Sequence, residues 1–112
     1  MDATFVEMPP FARFRSDYLD DDSFQGLQQK LLDNPEAGNE IPGTGGLRKL
    51  RFADKRRGKG TRGGIRIIYY WYRKNELFWL FTLFDKDEAS DLTPDQKKIL
   101  KEMLKTEIKA RK

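Results

Sequence analysis

Two neighbouring runs near the centre of this 112-residue chain predict β-strands. Ile65–Tyr72 is rich in β-branched and aromatic residues, and Leu77–Asp85 is almost continuously apolar. The short polar stretch Arg73–Glu76 lies between them and predicts a tight turn. A strand that is apolar on both sides is typical of the middle of a sheet, so we expect Leu77–Asp85 to be central.

The runs on either side of this pair complete the predicted elements. Leu47–Phe52 alternates between apolar and polar residues and predicts a third consecutive strand, and Thr4–Met8 predicts a short strand that Pro9 and Pro10 end. Apolar residues at helical spacing, with short polar capping residues before them, predict helices elsewhere. These helices are Phe11–Arg15, Asp20–Asn34 and Thr93–Ile108.

The order of the elements predicts one domain over residues 1–112 with an α+β fold. We expect an antiparallel sheet made of the short N-terminal strand and a three-strand meander. We expect the helices to pack on one face, which would leave the other face available for polar chemistry.

The composition excludes several classes of function. The chain has no Cys, which excludes disulfides, thiol nucleophiles and cysteine-ligated metals. It has no His, which excludes a Ser-His-Asp triad and the most common general base. No apolar run approaches the roughly 18–20 residues that cross a bilayer, and the N-terminus lacks the pattern of a secretory signal. We therefore expect a cytoplasmic protein that uses Lys, Arg, Asp, Glu or Tyr for any catalysis.

The positive charge is concentrated in one stretch. The whole chain has a formal charge of +4, but residues 48–66 carry nine basic residues and one acidic residue. Such a concentration favours a polyanionic partner, with a solvated basic loop at residues 54–64 as the simpler alternative.

The alternation of side chains along the strands suggests a cationic surface. Lys49 and Arg51 point to the same side of their strand, Arg66 opens the next strand, and Phe84 and Lys86 share a side of the third. If these sides coincide, four cations and an aromatic ring share one face, although the register is not readable from the sequence. Cations neutralise phosphates and an aromatic ring stacks on a base, so this surface would suit RNA.

The same surface could cleave RNA through the 2′-hydroxyl of the substrate. Preorganised Lys and Arg side chains stabilise the charge of the pentavalent transition state. A Lys crowded by other cations can lose its proton more readily and serve as a base. Without His, such an enzyme would depend on a host that orients the RNA.

Four stretches of the chain resemble one known family. They are Ile41–Arg51, Gly58–Tyr70, Leu80–Glu88 and Asp91–Thr93. Together they resemble the HigB branch of the RelE/ParE toxin superfamily, over roughly residues 4–108. The resemblance implies the toxin of a type II toxin–antitoxin pair, a ribosome-dependent endonuclease that cuts mRNA in the A site without a metal or cofactor. It also implies a HigA-like helix-turn-helix antitoxin as partner, with operator DNA bound only through that antitoxin.

The resemblance also implies roles for individual residues. Lys49 and Arg51 match the Lys-x-Lys pair of the RelE-type active site, with Lys49 as general base or charge stabiliser. Arg66 would hold the scissile phosphate with Arg51, and Lys86 would assist the leaving group or bind phosphate. A second set would bind ribosomal or messenger RNA: Arg48, Lys55, Arg56, Arg57, Lys59, Arg62 and Phe84.

The chain departs from the family pattern at two positions. Phe84 stands where many relatives have Tyr, and no Tyr occurs between Asp87 and Leu92. Phe can stack on a base but cannot donate a proton, so the general acid is not identified. Tyr70 lies on the same side of its strand as Arg66 and is one candidate, with a packed strand aromatic as the alternative.

Three other functions remain open from the sequence. A ParE-type poison of DNA gyrase would have the same fold, although it lacks a basic catalytic face. A non-enzymatic module that binds RNA or the ribosome would fit the absence of His. A magnesium nuclease would use the acidic residues near the last helix, which are Asp85, Asp87, Glu88 and Asp91.

Overall fold

The computed structural model describes residues 2–55, 58–60, 64–86 and 91–111. A mixed sheet of five strands stands at its centre, with the strand order β1-β5-β4-β3-β2. The strands are β1 (Thr4–Glu7), β2 (Asn39–Glu40), β3 (Arg48–Phe52), β4 (Ile65–Tyr72) and β5 (Leu77–Asp85). The helices are α1 (Pro9–Tyr18), α2 (Asp21–Asp33) and α3 (Pro94–Ala110).

The sheet confirms the predicted meander and adds two features. Strands β3, β4 and β5 pair antiparallel in sequence order, but β1 pairs parallel with β5. A two-residue strand, β2, pairs antiparallel with β3 inside a segment that the sequence predicts as loop. The sheet is therefore mixed rather than wholly antiparallel.

One irregularity interrupts the pairing of β4 with β5. Tyr69 faces Leu80 and Ile68 faces Thr82, so Phe81 is an extra residue in β5. A bulge of this kind changes which residues point to each face beyond it. Trp79, Phe81 and Phe84 all pack in one core, although Phe84 follows Phe81 by three residues and regular alternation would place the two on opposite faces. The bulge therefore turns Phe84 onto the same face as Trp79 and Phe81.

The first face of the sheet is covered by α1 and α2. We call it the closed face. Its core joins the two helices to strands β3, β4 and β5. The buried residues are Phe11, Leu19, Leu27, Leu31, Leu50, Ile65, Ile67, Tyr69, Phe78, Leu80 and Leu83.

The second face, which we call the open face, is partly covered by α3. Its core contains Leu100 and Leu104 of α3, packed with Ile68, Trp79 and Phe81 of the sheet. The prediction of an α+β fold is confirmed, but the expectation that all helices share one face is wrong. Because β5 is apolar on both sides, it needs cover on both, and α3 supplies the second layer.

The predicted helix caps explain where α2 and α3 begin. The Asp20 carboxylate accepts a hydrogen bond of 2.7 Å from the Ser23 N–H. Thr93 Oγ1 accepts from the Gln96 N–H at 3.1 Å, while Gln96 Oε1 accepts from the Thr93 N–H at 2.8 Å. These bonds satisfy backbone donors that the first turn of a helix leaves unpaired. None of the helices in the described ranges is long and apolar enough to cross a membrane.

Candidate functional site

Strand register brings the predicted cations to one face of the sheet. Arg51 pairs with Arg66, and Arg66 pairs with Phe84 on the far side of β4. Lys49 lies two residues before Arg51 on the same side of β3, opposite Ile68. Ile68 is part of the core beneath α3, so the side chains on this side of the strands belong to the open face. We call Lys49, Arg51, Arg66 and Phe84 the cationic row.

The cationic row lies where α3 does not fill the open face with apolar side chains. The buried residues contributed by α3 are Leu100 and Leu104, which pack toward the middle of the sheet. Arg51 is exposed, and Lys49 and Phe84 are half-buried. Arg51 is therefore accessible from solvent at this end of the open face, and Lys49 and Phe84 are partly accessible.

Arg66 is the most buried member of the row. Arg66 is only 4% exposed. This burial, together with the neighbouring charge of Arg51, lowers the pKa of Arg66. Like charges on directly opposite positions of adjacent strands destabilise a sheet. The Arg51–Arg66 pair places two guanidinium groups where both can contact a bound anion.

Lys49 has an acidic partner that the strand pattern does not reveal. Lys49 Nζ lies 3.4 Å from Asp91 Oδ1, just before α3. The same oxygen accepts a 2.8 Å hydrogen bond from the Leu92 N–H. Burial alone would raise the pKa of Asp91, but the Leu92 N–H and the Lys49 charge outweigh it, so the pKa lies below its usual value. Asp91 thus supplies a fixed carboxylate that orients the Lys49 side chain.

Lys86 follows β5 at the same end of the sheet as Arg66. Its backbone N–H donates a 3.1 Å hydrogen bond to the Gly64 carbonyl, and its side chain is exposed. Gly64 leaves no room for a Cβ, because the added atom would clash with the Phe52 carbonyl oxygen. This close approach fixes the backbone next to Arg66.

The basic loop is described only in part. Asp54 and Lys59 exchange backbone hydrogen bonds of 2.8 and 2.9 Å and so form an isolated antiparallel bridge. Lys55 is exposed. The predictions for Arg56, Arg57 and Arg62 lie outside the described residues.

Arg48 is not brought to the cationic row. It alternates with Lys49 along β3 and therefore points to the opposite side of the sheet. Its Nη1 donates a 2.8 Å hydrogen bond to the Gly38 carbonyl, and its Nη2 lies 3.8 Å from Glu36 Oε2. These contacts hold the segment after α2 against β3, which is a structural task.

Tyr70 shares the open face with Arg66 but lies far along the strand. Tyr70 is four positions after Arg66, which corresponds to about 13 Å along an extended strand. The Tyr70 ring stacks on Trp79 at a centroid distance of 5.6 Å, and burial raises its pKa. Its surroundings are those of a packed strand aromatic.

The residues that the sequence patterns miss come from segments distant in sequence. Asp91 contacts Lys49 only because α3 crosses the open face. Phe14 and Tyr18 of α1 line a groove that also contains Phe84 and Asp91. The spacing of Phe14 and Tyr18, four residues apart, marks a helix ridge, but nothing in it indicates what the ridge faces.

The described residues contain no group of three acidic side chains close enough to hold a metal ion. Two of the four acids that the magnesium alternative needs, Asp87 and Glu88, lie outside the described residues.

Comparison with known proteins identifies the fold. No protein-family model matches the sequence. The chain is similar to a solved structure of a doubly substituted E. coli toxin RelE in the free state, with a TM-score of 0.52 and 15% identity over 80% of this chain and 90% of that one. It is also similar to a chain of the intact E. coli RelBE toxin–antitoxin complex, with a TM-score of 0.50 and 15% identity over 73% of this chain and 94% of that one. The chain therefore has a RelE-like fold.

Proposed function

We propose that this protein is the toxin of a type II toxin–antitoxin pair of the HigB-like branch, and that it cleaves mRNA in the ribosomal A site. The observation that carries the proposal is the cationic row, in which Arg51 and Arg66 face each other beside Phe84. Two guanidinium groups on directly opposite strand positions can both contact one bound phosphate. The resemblance of the sequence to the RelE/ParE superfamily implies RNA as that anion, and the RelE-like fold agrees with this resemblance.

The reaction is an attack of a ribose 2′-hydroxyl on the adjacent phosphorus. The new O–P bond closes a 2′,3′-cyclic phosphate while the bond to the 5′-oxygen breaks. The 2′-hydroxyl gives up its proton to a base, and the departing 5′-oxygen takes up a proton. Arg51 and Arg66 bind the non-bridging oxygens, on which negative charge grows in the transition state.

The ion pair with Asp91 favours one of the two roles expected for Lys49. An ammonium group 3.4 Å from a carboxylate acts as an oriented positive charge, whereas a general base must be neutral. We therefore assign Lys49 to stabilising the phosphorane. The proton acceptor is then a group of the ribosome, the mRNA or solvent, which is consistent with the proposed dependence on the ribosome.

Phe84 and Lys86 complete the proposed site. The half-buried Phe84 ring stacks on a base next to the scissile phosphate. The exposed ammonium of Lys86 neutralises the departing 5′-oxygen or binds its phosphate. Lys55, Lys59 and the remaining basic loop residues bind ribosomal RNA, which positions the site over the A-site codon.

The proposal includes a partner. One of the similar solved structures is of a toxin–antitoxin complex. By analogy, the partner of this chain is a HigA-like helix-turn-helix antitoxin, through which the pair binds operator DNA. The cytoplasm, where ribosomes and mRNA meet, is the proposed location.

Primer extension on a defined mRNA tests the function. Purified protein is added to the mRNA alone, with and without EDTA, and to the mRNA on programmed ribosomes. Cuts confined to the A-site codon of ribosome-bound mRNA are expected, and a 2′-deoxy nucleotide 5′ of the cut should abolish them. Cuts in free RNA that EDTA removes would instead establish the magnesium nuclease.

One observation favours a second candidate function, which is binding to the ribosome without cleavage. In the described part of the cationic row no side chain carries a hydroxyl that could act as general acid. A protein that binds the ribosome without cutting mRNA would need none. Ribosome binding without cuts in the same assay would establish that alternative, while the opposed arginines argue against a gyrase poison.

A further inference from the structure

A groove between α1 and α3 opens beside the cationic row. Its volume of about 420 Å³ lies within the range of sites for small ligands, about 300–1,000 Å³. Phe84, a member of the cationic row, forms part of its lining, and so does Asp91, which contacts Lys49. The groove is therefore continuous with the surface that we propose for the scissile phosphate.

The walls of the groove are apolar. Phe14 of α1 forms part of one wall and is 39% exposed, while Ile99 and Met103 of α3 form part of the other. Among the described residues that line the groove, none is a lysine or an arginine. Such a lining is unsuited to a phosphate, but it suits a flat, uncharged group such as a nucleobase, whose faces pack on aromatic and apolar side chains.

The start of α3 adds two oriented polar groups to this lining. Gln96 Oε1 accepts the hydrogen bond from the Thr93 N–H that caps the helix, which leaves its Nε2 amide as a donor at the groove. Within the described residues, the contacts of Asp91 with the Leu92 N–H and with Lys49 Nζ both involve Oδ1. Oδ2 of the same carboxylate is then an acceptor at the groove.

A donor beside an acceptor matches the polar edge of a nucleobase. Each of the four RNA bases has a hydrogen-bond acceptor next to a donor on its Watson–Crick edge, and RNA-binding proteins read unstacked bases along this edge. Thr82 on the groove lining, half-buried and opposite Ile68, adds a hydroxyl that can donate or accept. The groove thus offers apolar contact to the faces of a base and hydrogen bonds to its edge.

We propose that this groove receives the base of a nucleotide next to the scissile phosphate, and that Gln96 and Asp91 bind its Watson–Crick edge. The proposal rests on the proposed function, which places that phosphate at Arg51 and Arg66. A base held in the groove fixes the position of the neighbouring phosphate over the two arginines. Because one donor and one acceptor complement every base, the wild type should accept all four.

A single substitution changes the hydrogen-bonding pattern of the groove without removing the helix cap. Gln96→Glu keeps an acceptor for the Thr93 N–H, because Glu also occupies this position in capping boxes, but it replaces the amide donor with a second acceptor. Two acceptors match only guanine, which has adjacent donors at N1 and N2. Lys98→Gln is the matched control, since it changes the charge of α3 by the same amount at an exposed residue that does not line this groove.

Titrations with small uncleavable ligands test binding separately from the reaction. Each ligand has one phosphodiester with a 2′-deoxy sugar on its 5′ side. It carries one base on one side of the phosphate and an abasic sugar on the other, and a second set reverses the sides. A ligand with no base is the reference. The methyl NMR signal of Ile99, which is 60% exposed, reports on the groove, and circular dichroism verifies that both variants are folded.

We expect the wild type to bind every ligand of one set at least about fivefold more tightly than the baseless reference, with a shift of the Ile99 signal. Gln96→Glu should lose at least about fivefold in affinity for the adenine, cytosine and uracil ligands relative to guanine. Lys98→Gln should keep the wild-type order. On programmed ribosomes, Gln96→Glu should correspondingly favour codons with guanine at that position.

The outcomes separate this inference from the proposed function. Equal affinity of the wild type for the baseless reference and for both sets would overturn the base site and leave the phosphate site intact. Equal losses for all four bases in Gln96→Glu would also overturn the inference, even if the wild type cleaves mRNA. No binding of any ligand would overturn the inference together with the phosphate site. Base-dependent binding without cleavage on ribosomes would support the groove and contradict the proposed function.

Discussion

The two faces of the central sheet are covered in different ways. On the closed face, α1 and α2 bury apolar side chains from β3, β4 and β5 in one core. On the open face, α3 buries a comparable core in the middle but leaves the cationic row at one end. The closed face is an apolar core throughout, whereas the open face combines an apolar core with charged side chains at one end.

The placement of the two arginines explains why the difference between the faces is informative. Arg66 is almost completely buried, and Arg51 stands directly opposite it. A sheet optimised for stability alone would place apolar or oppositely charged pairs there. Local rules are most often broken at functional sites, so the broken rule points to the open face.

The largest expected effect comes from removing Arg66. Arg66→Ala should lower the rate of mRNA cleavage by about 10²- to 10³-fold, since it removes a preorganised positive charge from the transition state. Growth arrest on expression should be lost with it. Arg66→Met keeps the aliphatic bulk of the side chain and controls for packing. Growth arrest by a folded Arg66→Met protein would contradict the assignment.

A cavity on the closed face should lower the stability of the protein without changing its cleavage rate. Leu27→Ala removes a fully buried side chain of α2 and should lower the free energy of unfolding by about 2–5 kcal/mol. Cleavage per folded molecule should stay the same, because Leu27 lies behind the sheet. Urea unfolding and cleavage at a temperature where the variant is folded provide the two readings. A loss of rate larger than the loss of folded protein would show that the two faces are coupled.

Asp91→Asn should have the smallest effect. Asn keeps an acceptor for the Leu92 N–H but removes the charge beside Lys49, so we expect a decrease in the cleavage rate of several-fold, at most about tenfold. Asp95→Asn, on the first turn of α3, is the matched control and should change nothing.

The pH dependence sharpens the prediction for Asp91. Because the pKa of Asp91 is lowered, its carboxylate is charged throughout the range of a cleavage assay, and the ion pair is lost only as the pH falls through that lowered pKa. The ratio of wild-type to Asp91→Asn rates should therefore be constant from pH 6 to pH 9. A ratio that varies in this range would mean that Asp91 itself exchanges a proton during the reaction.

The sequence predicts much of the fold because the patterns of its elements are strong. The β4 and β5 runs, the Thr93 cap of α3 and the Asp20 cap of α2 can each be identified locally. The side of the sheet that α3 covers cannot be predicted in this way. An amphipathic stripe shows that a helix is buried on one side, but not which face of a sheet receives it.

The candidate site depends more on long-range structure. Alternation along each strand predicts that Lys49 and Arg51 share a side, but only register aligns Arg51 with Arg66. The alignment of Phe84 further requires the bulge at Phe81, which no glycine or proline announces. The Asp91 contact needs the chain to return across the open face, so it has no local signal.

The most direct test of the account measures both faces together. Single-turnover cleavage on programmed ribosomes is compared for the wild type, Arg66→Met and Leu27→Ala, each with its free energy of unfolding. The account predicts that Arg66→Met loses at least about 10²-fold in rate with little change in stability. It predicts that Leu27→Ala loses stability and keeps its rate. A full rate in Arg66→Met, or rates that simply follow stability in both variants, would contradict the claim that the cationic row of the open face is the active site.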